Sequence, residues 1–279
     1  MLTRTRPVLW GAALITAVTL GLAACGQTGN RQQPGAGPSR PAPTSSHPAP
    51  PPKTSPPPAA SAAPELAAFV AAAQRADTEI RHAAALINGD IGTTSMRFRP
   101  ATLAAIRAID NESVMRAAPA GLPASLLRDV IVVYGDLDSR TAAFNGVEVY
   151  GGSGHPVPVG GRDGQSLLRG LHNGAPAAAR FNADLAAVRA DAQRTPPVTI
   201  AAPDSRAAAE LALRFDSIEN RNGCSEEFGG WAPTQLEPVV WQPSTTQHPT
   251  AYEGTINGIR FQAIYHPAQQ AWGIIIYAC

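Results

Sequence analysis

The sequence predicts an α+β fold, with a helical bundle followed by a small antiparallel β-sheet, after a disordered proline-rich linker. Apolar residues recur at intervals of three and four through residues 64–195, as they do along one face of a helix. About fifty residues at the carboxyl end are rich in aromatic and β-branched side chains and carry a hairpin signature. We therefore expect a helical region at 64–195 and a helix plus antiparallel sheet at 196–279.

The apolar spacing predicts five helical segments, at about residues 64–89, 100–109, 123–149, 165–194 and 203–223, the fourth interrupted at 173–176. Asp77 is the one polar residue in the apolar stripe of the first segment. In the third segment, the length of the pattern favours a helix over the strand propensity of residues 130–134. Residues 151–164 are predicted to form a Gly- and Pro-rich loop, and residues 198–200 a short strand.

The strongest local signal is Asn257-Gly258, which lies between two alternating runs. This pair supplies the positive φ angles of a type I′ turn, and a two-residue loop fixes the register. It places Ile256 opposite Ile259, Gly254 opposite Phe261 and Tyr252 opposite Ala263. The run 272–277 is apolar on both faces, so we expect it in the sheet interior with a helix over one side, and residues 235–241 are a candidate further strand.

Charge gives no case for a nucleic-acid partner. The 279 residues contain 22 Lys and Arg and 21 Asp and Glu, for a formal charge of +1. A near-neutral chain lacks the basic surface that binds phosphate backbones.

The amino terminus has the parts of a secretory signal. Arg4 and Arg6 precede an apolar run at 8–22, which ends in Leu-Ala-Ala-Cys at residues 22–25. The run is about fifteen residues long, short of the roughly twenty that span a bilayer. An ordinary signal peptide with a chance cysteine is the alternative interpretation.

Residues 22–25 resemble the lipobox of bacterial lipoproteins, and the Ala-, Pro- and Gly-rich composition suggests an actinobacterial source. The resemblance covers only residues 1–25. It implies that residues 1–24 are a signal peptide removed by cleavage and that the Cys25 thiol carries a diacylglyceryl group. It also implies attachment to the bilayer at the outer face of the cytoplasmic membrane.

Residues 25–63 are predicted to be the lipidated terminus and a disordered linker. Prolines alternate there with Ala, Ser, Thr and Gly, and no large apolar residue occurs between Cys25 and Leu66. Such a segment buries too little apolar surface to offset the entropy of ordering. Polyproline II extends about 3.1 Å per residue, so the linker reaches at most roughly 100 Å.

Cysteine use fits an oxidising compartment. With Cys25 assigned to lipid, Cys224 and Cys279 remain as an even pair, and we expect a disulfide between them. In the chain-entropy model, a loop of about 55 residues is stabilised by about 4 kcal/mol. Two separate buried thiols are the alternative.

No catalytic, metal or cofactor site emerges from the spacing of residues. The loop around Ser153 lacks the second glycine of a nucleophile elbow, and no two of the six histidines lie within five residues of each other. Asp129 and Asp136 share a helix face with Arg140 and form a candidate carboxylate pair. A solvated face with an i,i+4 ion pair between Asp136 and Arg140 explains the same residues.

Three aromatic residues are candidate ligand-facing side chains: Trp231, Trp241 and Tyr252. Aromatic rings in a groove bind glycans or peptides, whereas packing in a small core is the ordinary role of such residues. The sequence thus favours a membrane-anchored binding or scaffolding module with a protein or glycan partner in the envelope. An envelope hydrolase with a dispersed site and an accessory subunit of an export or wall-synthesis complex are the alternatives.

Overall fold

Helices and antiparallel strands together make the α+β fold that the sequence predicts. A computed structural model describes residues 61–219, 237–243, 251–256 and 258–277. Cys25, Cys224, Cys279 and Trp231 lie outside these residues, as does the predicted linker up to residue 60.

The helices in the described residues are α1 (Ala63–Asp90), α2 (Pro100–Arg107), α3 (Asn111–Ala117), α4 (Ala124–Thr141), a short 3-10 helix (Ala142–Phe144), α5 (Asn145–Gly151), α6 (Arg162–His172), α7 (Ala175–Arg194) and α8 (Arg206–Glu219). The strands are β1 (Ser95–Met96), β2 (Val157–Pro158), β3 (Val240–Gln242), β4 (Ala251–Ile256), β5 (Ile259–His266) and β6 (Ala271–Ile276).

Most helices follow the predicted pattern, with two differences. The segment predicted at 123–149 is helical but divided, because the 3-10 helix separates α4 from α5. α3 lies between the second and third predicted segments, where no helix was predicted. Its signal is the cap Asp110, whose carboxylate accepts a hydrogen bond from the Ser113 N–H (2.9 Å), while Glu112 and Arg116 pair one turn apart.

Two predictions about strands outside the main sheet are wrong. Residues 198–200 form no strand; beside them, the Ala201 N–H donates to the Ala120 carbonyl (3.0 Å) as the segment passes the loop before α4. The predicted loop 151–164 contains β2, which pairs with β1 over two residues. A periodic sequence pattern needs several residues. The single hydrogen bond at Ala201 and the two-residue pairing of β1 with β2 are too short to produce one.

α4 lies at the centre of the helical part. It packs against α1, α3, α7 and α8, and its contact with α7 is the most extensive between two helices in the described chain. Val130, Tyr134 and Leu137, which are spaced four and three residues apart on one face of α4, are fully buried. The helical pattern of the third segment therefore correctly overrides the strand propensity of residues 130–134.

α8 joins the helices to the sheet. Leu211, Phe215 and Ile218 pack into the helical core, whereas Ala209 and Leu213 belong to a second apolar cluster with the sheet residues. The two sets lie on different sides of one helix, so α8 holds the four-stranded sheet against the rest of the body. The expected helix over one side of the sheet is confirmed.

The four-stranded sheet has the order β3-β4-β5-β6 and is antiparallel throughout. Ile256 pairs with Ile259, Gly254 with Phe261 and Tyr252 with Ala263, as the hairpin signal predicted. Gly258 has a positive φ of 78°, which glycine adopts without strain.

The last strand is not in the sheet interior as predicted. β6 stands at the end of the described sheet order, and Ile275 is exposed on the face away from α8. Three consecutive isoleucines made the run apolar on both faces, but α8 covers one face alone.

Within the described residues, no helix combines the length and apolarity needed to cross a membrane.

Candidate functional site

A group of buried charges lies where α1, α4 and α7 meet. Arg140 on α4 is 4% exposed, and its Nη1 lies 2.7 Å from Oδ1 of Asp77 on α1. Arg81, one turn along α1, reaches Oδ2 of Asp77 at 2.8 Å. The Arg140 guanidinium also lies 5.2 Å from the ring centroid of Phe181 on α7, at cation–π distance. One arginine therefore contacts all three helices.

A second ionic contact joins α4 to α7. Asp136 is 1% exposed, and its Oδ1 lies 2.6 Å from Nη2 of Arg180, which also approaches Asp184 (3.8 Å). Burial and a hydrogen bond that protonated Asp136 donates to Asp184 raise the pKa of Asp136 to about 7, although Arg180 opposes the shift. Arg180 neutralises the charge of one carboxylate, so Asp136 and Asp184 hold one proton between them.

A third pair repeats this pattern farther along the same two helices. Burial, together with the charge of Asp191 and a hydrogen bond to it, raises the pKa of Asp129 to about 6, while Arg128 opposes the shift. Asp129 and Asp136 are seven residues apart on α4, and Asp184 and Asp191 are seven apart on α7. Two carboxyl–carboxyl contacts thus lie two turns apart on one antiparallel interface, which we call the carboxyl ladder.

These contacts correct the prediction for α4. Asp136 and Arg140 do not form an exposed i,i+4 pair on a solvated face, because both side chains are buried and their ion-pair partners are Arg180 and Asp77. Buried charges need such partners to offset their desolvation. The sequence held one signal of this arrangement, since Asp77 interrupts an otherwise apolar stripe.

Buried Tyr134 on α4 and Glu219 at the end of α8 form a partly buried contact. The Tyr134 hydroxyl donates to Oε1 of Glu219, and the Tyr134 ring lies 4.6 Å from that of Phe215. Burial raises the pKa of both Tyr134 and Glu219; the charge of Glu219 adds to the rise for Tyr134, and the hydrogen bond from Tyr134 opposes it for Glu219. This polar contact fixes α8 on α4.

A cleft of about 270 Å³ lies between the start of α4, the preceding loop and α8. Its described lining is Ala120, Gly121, Leu122, Ala124, Leu127, Ala207, Glu210, Leu211, Arg214 and Pro238. The charges of Glu210 and Arg214 pair with each other (2.5 Å), and Arg214 also donates to the Glu237 carbonyl (3.1 Å). The described lining residues include no Ser, Thr, Cys or His, and their one carboxylate, Glu210, is paired with Arg214.

Trp241 and Tyr252 come together under the start of α8. Their rings are 5.7 Å apart, and the Arg206 guanidinium lies 5.4 Å from one ring and 5.6 Å from the other. The Tyr252 hydroxyl donates to the Asp204 carbonyl (3.3 Å). Both aromatic residues are half-buried, and they pack the sheet against the segment that begins α8.

The remaining candidates show no catalytic arrangement. The Ser153 hydroxyl donates to the Tyr150 carbonyl (2.7 Å) in the turn after α5, which is a local cap. Across the described ranges, no group of three or more His, Cys, Asp or Glu side chains has the geometry to hold a metal ion.

The carboxyl ladder makes the stability of the body depend on pH. Asp129 and Asp136 have pKa values above the usual 3.8, so between about pH 4 and 7 the folded state holds more protons than the unfolded state. Their contribution to stability is complete below that window and is lost as pH rises through it. Asp136→Asn keeps a donor toward Asp184 at every pH. We expect the variant to gain stability relative to the parent, by roughly 4 kcal/mol at most, between about pH 5 and 8.

Thermal or denaturant unfolding across this pH range measures the difference. The matched control is Asp163→Asn, on an exposed position of α6, which should leave the pH dependence unchanged. Parallel pH profiles for the parent and Asp136→Asn would contradict the shared proton at Asp136.

Comparison of this chain with protein-family models, curated proteins and solved structures finds no match. Its function is therefore proposed from its own residues.

Proposed function

We propose that the protein is a lipid-anchored component of a bacterial envelope whose α+β body is a binding or scaffolding module. The proposal of a lipid anchor rests on residues 4–25, where two arginines are followed by an apolar run and then by Leu-Ala-Ala-Cys. Acylated Cys25 attaches the chain to the outer face of the cytoplasmic membrane. The proline-rich residues that follow are a disordered tether, and the bundle of helices with its sheet is the body at the end of it.

The outer face of the four-stranded sheet, on the side away from α8, supports a binding role. Side chains alternate along each strand, so Val240, Ile275 and Tyr277 lie on this face, and they are 57%, 45% and 56% exposed. They are three of the five exposed large hydrophobic residues in the described chain. Glu253 and Gln262 in the middle of this face are buried, so the exposed residues at its edges are what favour a partner there.

Polar residues between them give this face a mixed character. Arg260 lies over the Tyr277 ring (5.5 Å), and the Tyr277 hydroxyl donates to Gln262 (3.3 Å). Tyrosine and arginine beside apolar side chains are the composition enriched in protein interfaces. By contrast, the buried charges of the helices are paired with one another. The outer sheet face therefore supports a protein partner in the envelope better than it supports a hydrolytic site.

Anchoring is tested by Cys25→Ala. We expect this variant to lose metabolic labelling by a fatty acid and to leave the membrane fraction or accumulate as unprocessed precursor, because the thiol that accepts lipid is absent. Cys224→Ala is the matched control and should keep the label. Full labelling of the Cys25→Ala variant would exclude the lipobox.

Binding is tested by photo-crosslinking in intact cells. A photoreactive phenylalanine replaces Val240 on the outer sheet face or, as the control, Val149 on α5, which is 59% exposed. We expect a discrete protein adduct from position 240 and none of that mass from position 149. The identity of the adduct distinguishes a scaffold partner from an export or wall-synthesis complex. Equal adducts at both positions, or a glycan adduct alone, would contradict a protein-binding sheet face.

A further inference from the structure

β6 has an open edge within the described chain. In the order β3-β4-β5-β6 it pairs with β5, through a register that runs without interruption from Phe261 opposite Ile276 to His266 opposite Ala271. The Tyr277 N–H donates to the Arg260 carbonyl (2.9 Å), which turns the backbone of residue 277 toward β5. Because antiparallel residues alternate, the backbone groups of Trp272, Ile274 and Ile276 point outward.

The two ends of the sheet differ in their protection. β3 has three residues and is flanked by Pro238 and Pro243, and short strands and prolines are the means by which proteins block edge pairing. β6 has six residues, with neither a charged residue nor a proline among them, and its register contains no bulge. An edge of this kind is a template for another strand.

Because the β3 edge is blocked, sheets of two molecules can join through β6 of both, but not through β6 of one and β3 of the other. If β6 of one molecule paired with β3 of the next, sheets would add head to tail, but the prolines around β3 oppose this. Pairing of β6 with its own copy uses the open edge of both molecules and closes by two-fold symmetry. Because β6 carries no charge, two copies bring no like charges together.

We propose that β6 pairs antiparallel with β6 of a second copy of this chain, to make one continuous eight-stranded sheet. With Ile274 on the two-fold axis, Trp272 of one copy lies opposite Ile276 of the other, and Gly273 lies opposite Ile275. This register exchanges backbone hydrogen bonds through the three residues whose groups point outward. It also joins the two outer sheet faces into one surface, and it does not depend on the lipid anchor.

Charge substitutions at residue 275 test the pairing. Ile275 is exposed on the outer face, so a charge there leaves the packing against α8 intact. Across the axis, two residues 275 are diagonal neighbours within reach of long side chains. The full-length protein in detergent should show concentration-dependent dimer mass by sedimentation. Ile275→Lys and Ile275→Glu alone should each raise the dissociation constant by at least about tenfold, and an equal mixture of the two should restore the dimer.

Val240→Lys is the matched control, on the same sheet face at the blocked edge, and should dimerise like the parent. A monomeric parent at every concentration, equal loss of dimer in Val240→Lys, or no recovery on mixing would each overturn the proposal.

Amide hydrogen exchange at Ile274 distinguishes a β6 edge that pairs with a second molecule from one that is covered by another part of the same molecule. We expect the Ile274 N–H to exchange more slowly as the protein concentration rises, and to exchange freely in Ile275→Lys. Protection that is equal at all concentrations and in both proteins would show that the edge is covered within one molecule, and would refute pairing with a second copy.

Discussion

The buried ion pair between Asp77 and Arg140 is the contact on which the arrangement of the helices depends. Both side chains are buried; Asp77 lies 2.7 Å from Arg140 and offsets its desolvation, while Asp77 itself is paired with both Arg140 and Arg81. Arg140 also packs on Phe181, so the position of its guanidinium relates α1, α4 and α7 to one another. α4, held in this way, presents Tyr134 to Phe215 and Glu219 of α8. α8 in turn carries the sheet on Ala209 and Leu213. A charge pair in the helices thus determines where the sheet and its outer face lie.

The same arrangement separates two kinds of chemistry in the molecule. The carboxyl ladder and the Asp77–Arg140 pair satisfy their charges inside the helical part, where they stabilise packing and hold protons. The outer sheet face has the opposite character, with exposed apolar side chains beside Arg260 and Tyr277. Side-chain charges that are paired with one another inside the helices are not available to a substrate. Covering exposed apolar side chains, by contrast, lowers the free energy of a complex. This contrast is the physical reason for proposing recognition by the sheet in preference to catalysis by the helices.

Local signals predicted most of the secondary structure, and tertiary contacts account for what they missed. Asn257-Gly258 determined the β4–β5 register, because a two-residue turn leaves one way to align its strands. Helix spacing likewise identified α1, α4 and α7. The roles of Asp136 and Arg140 were not predictable from α4 alone, since an exposed i,i+4 pair and two buried partners on other helices have the same spacing. The position of β6 was misjudged for a similar reason: an isoleucine run shows that both faces are apolar, but not whether a neighbour covers each of them. The three predicted modification sites, Cys25, Cys224 and Cys279, remain predictions.

A double-mutant cycle on Asp77 and Arg140 tests the central claim most directly. Removing one partner of a buried pair typically costs about 3–5 kcal/mol of unfolding free energy, and because exposed Arg81 still pairs with Asp77, the low end of that range applies here. The account predicts a loss of this size for Arg140→Met, and recovery of most of it when Asp77→Leu is added to the same chain. A small loss in Arg140→Met, or a double variant destabilised by the sum of the two single changes, would contradict it, because the pair would then not determine how α1, α4 and α7 pack.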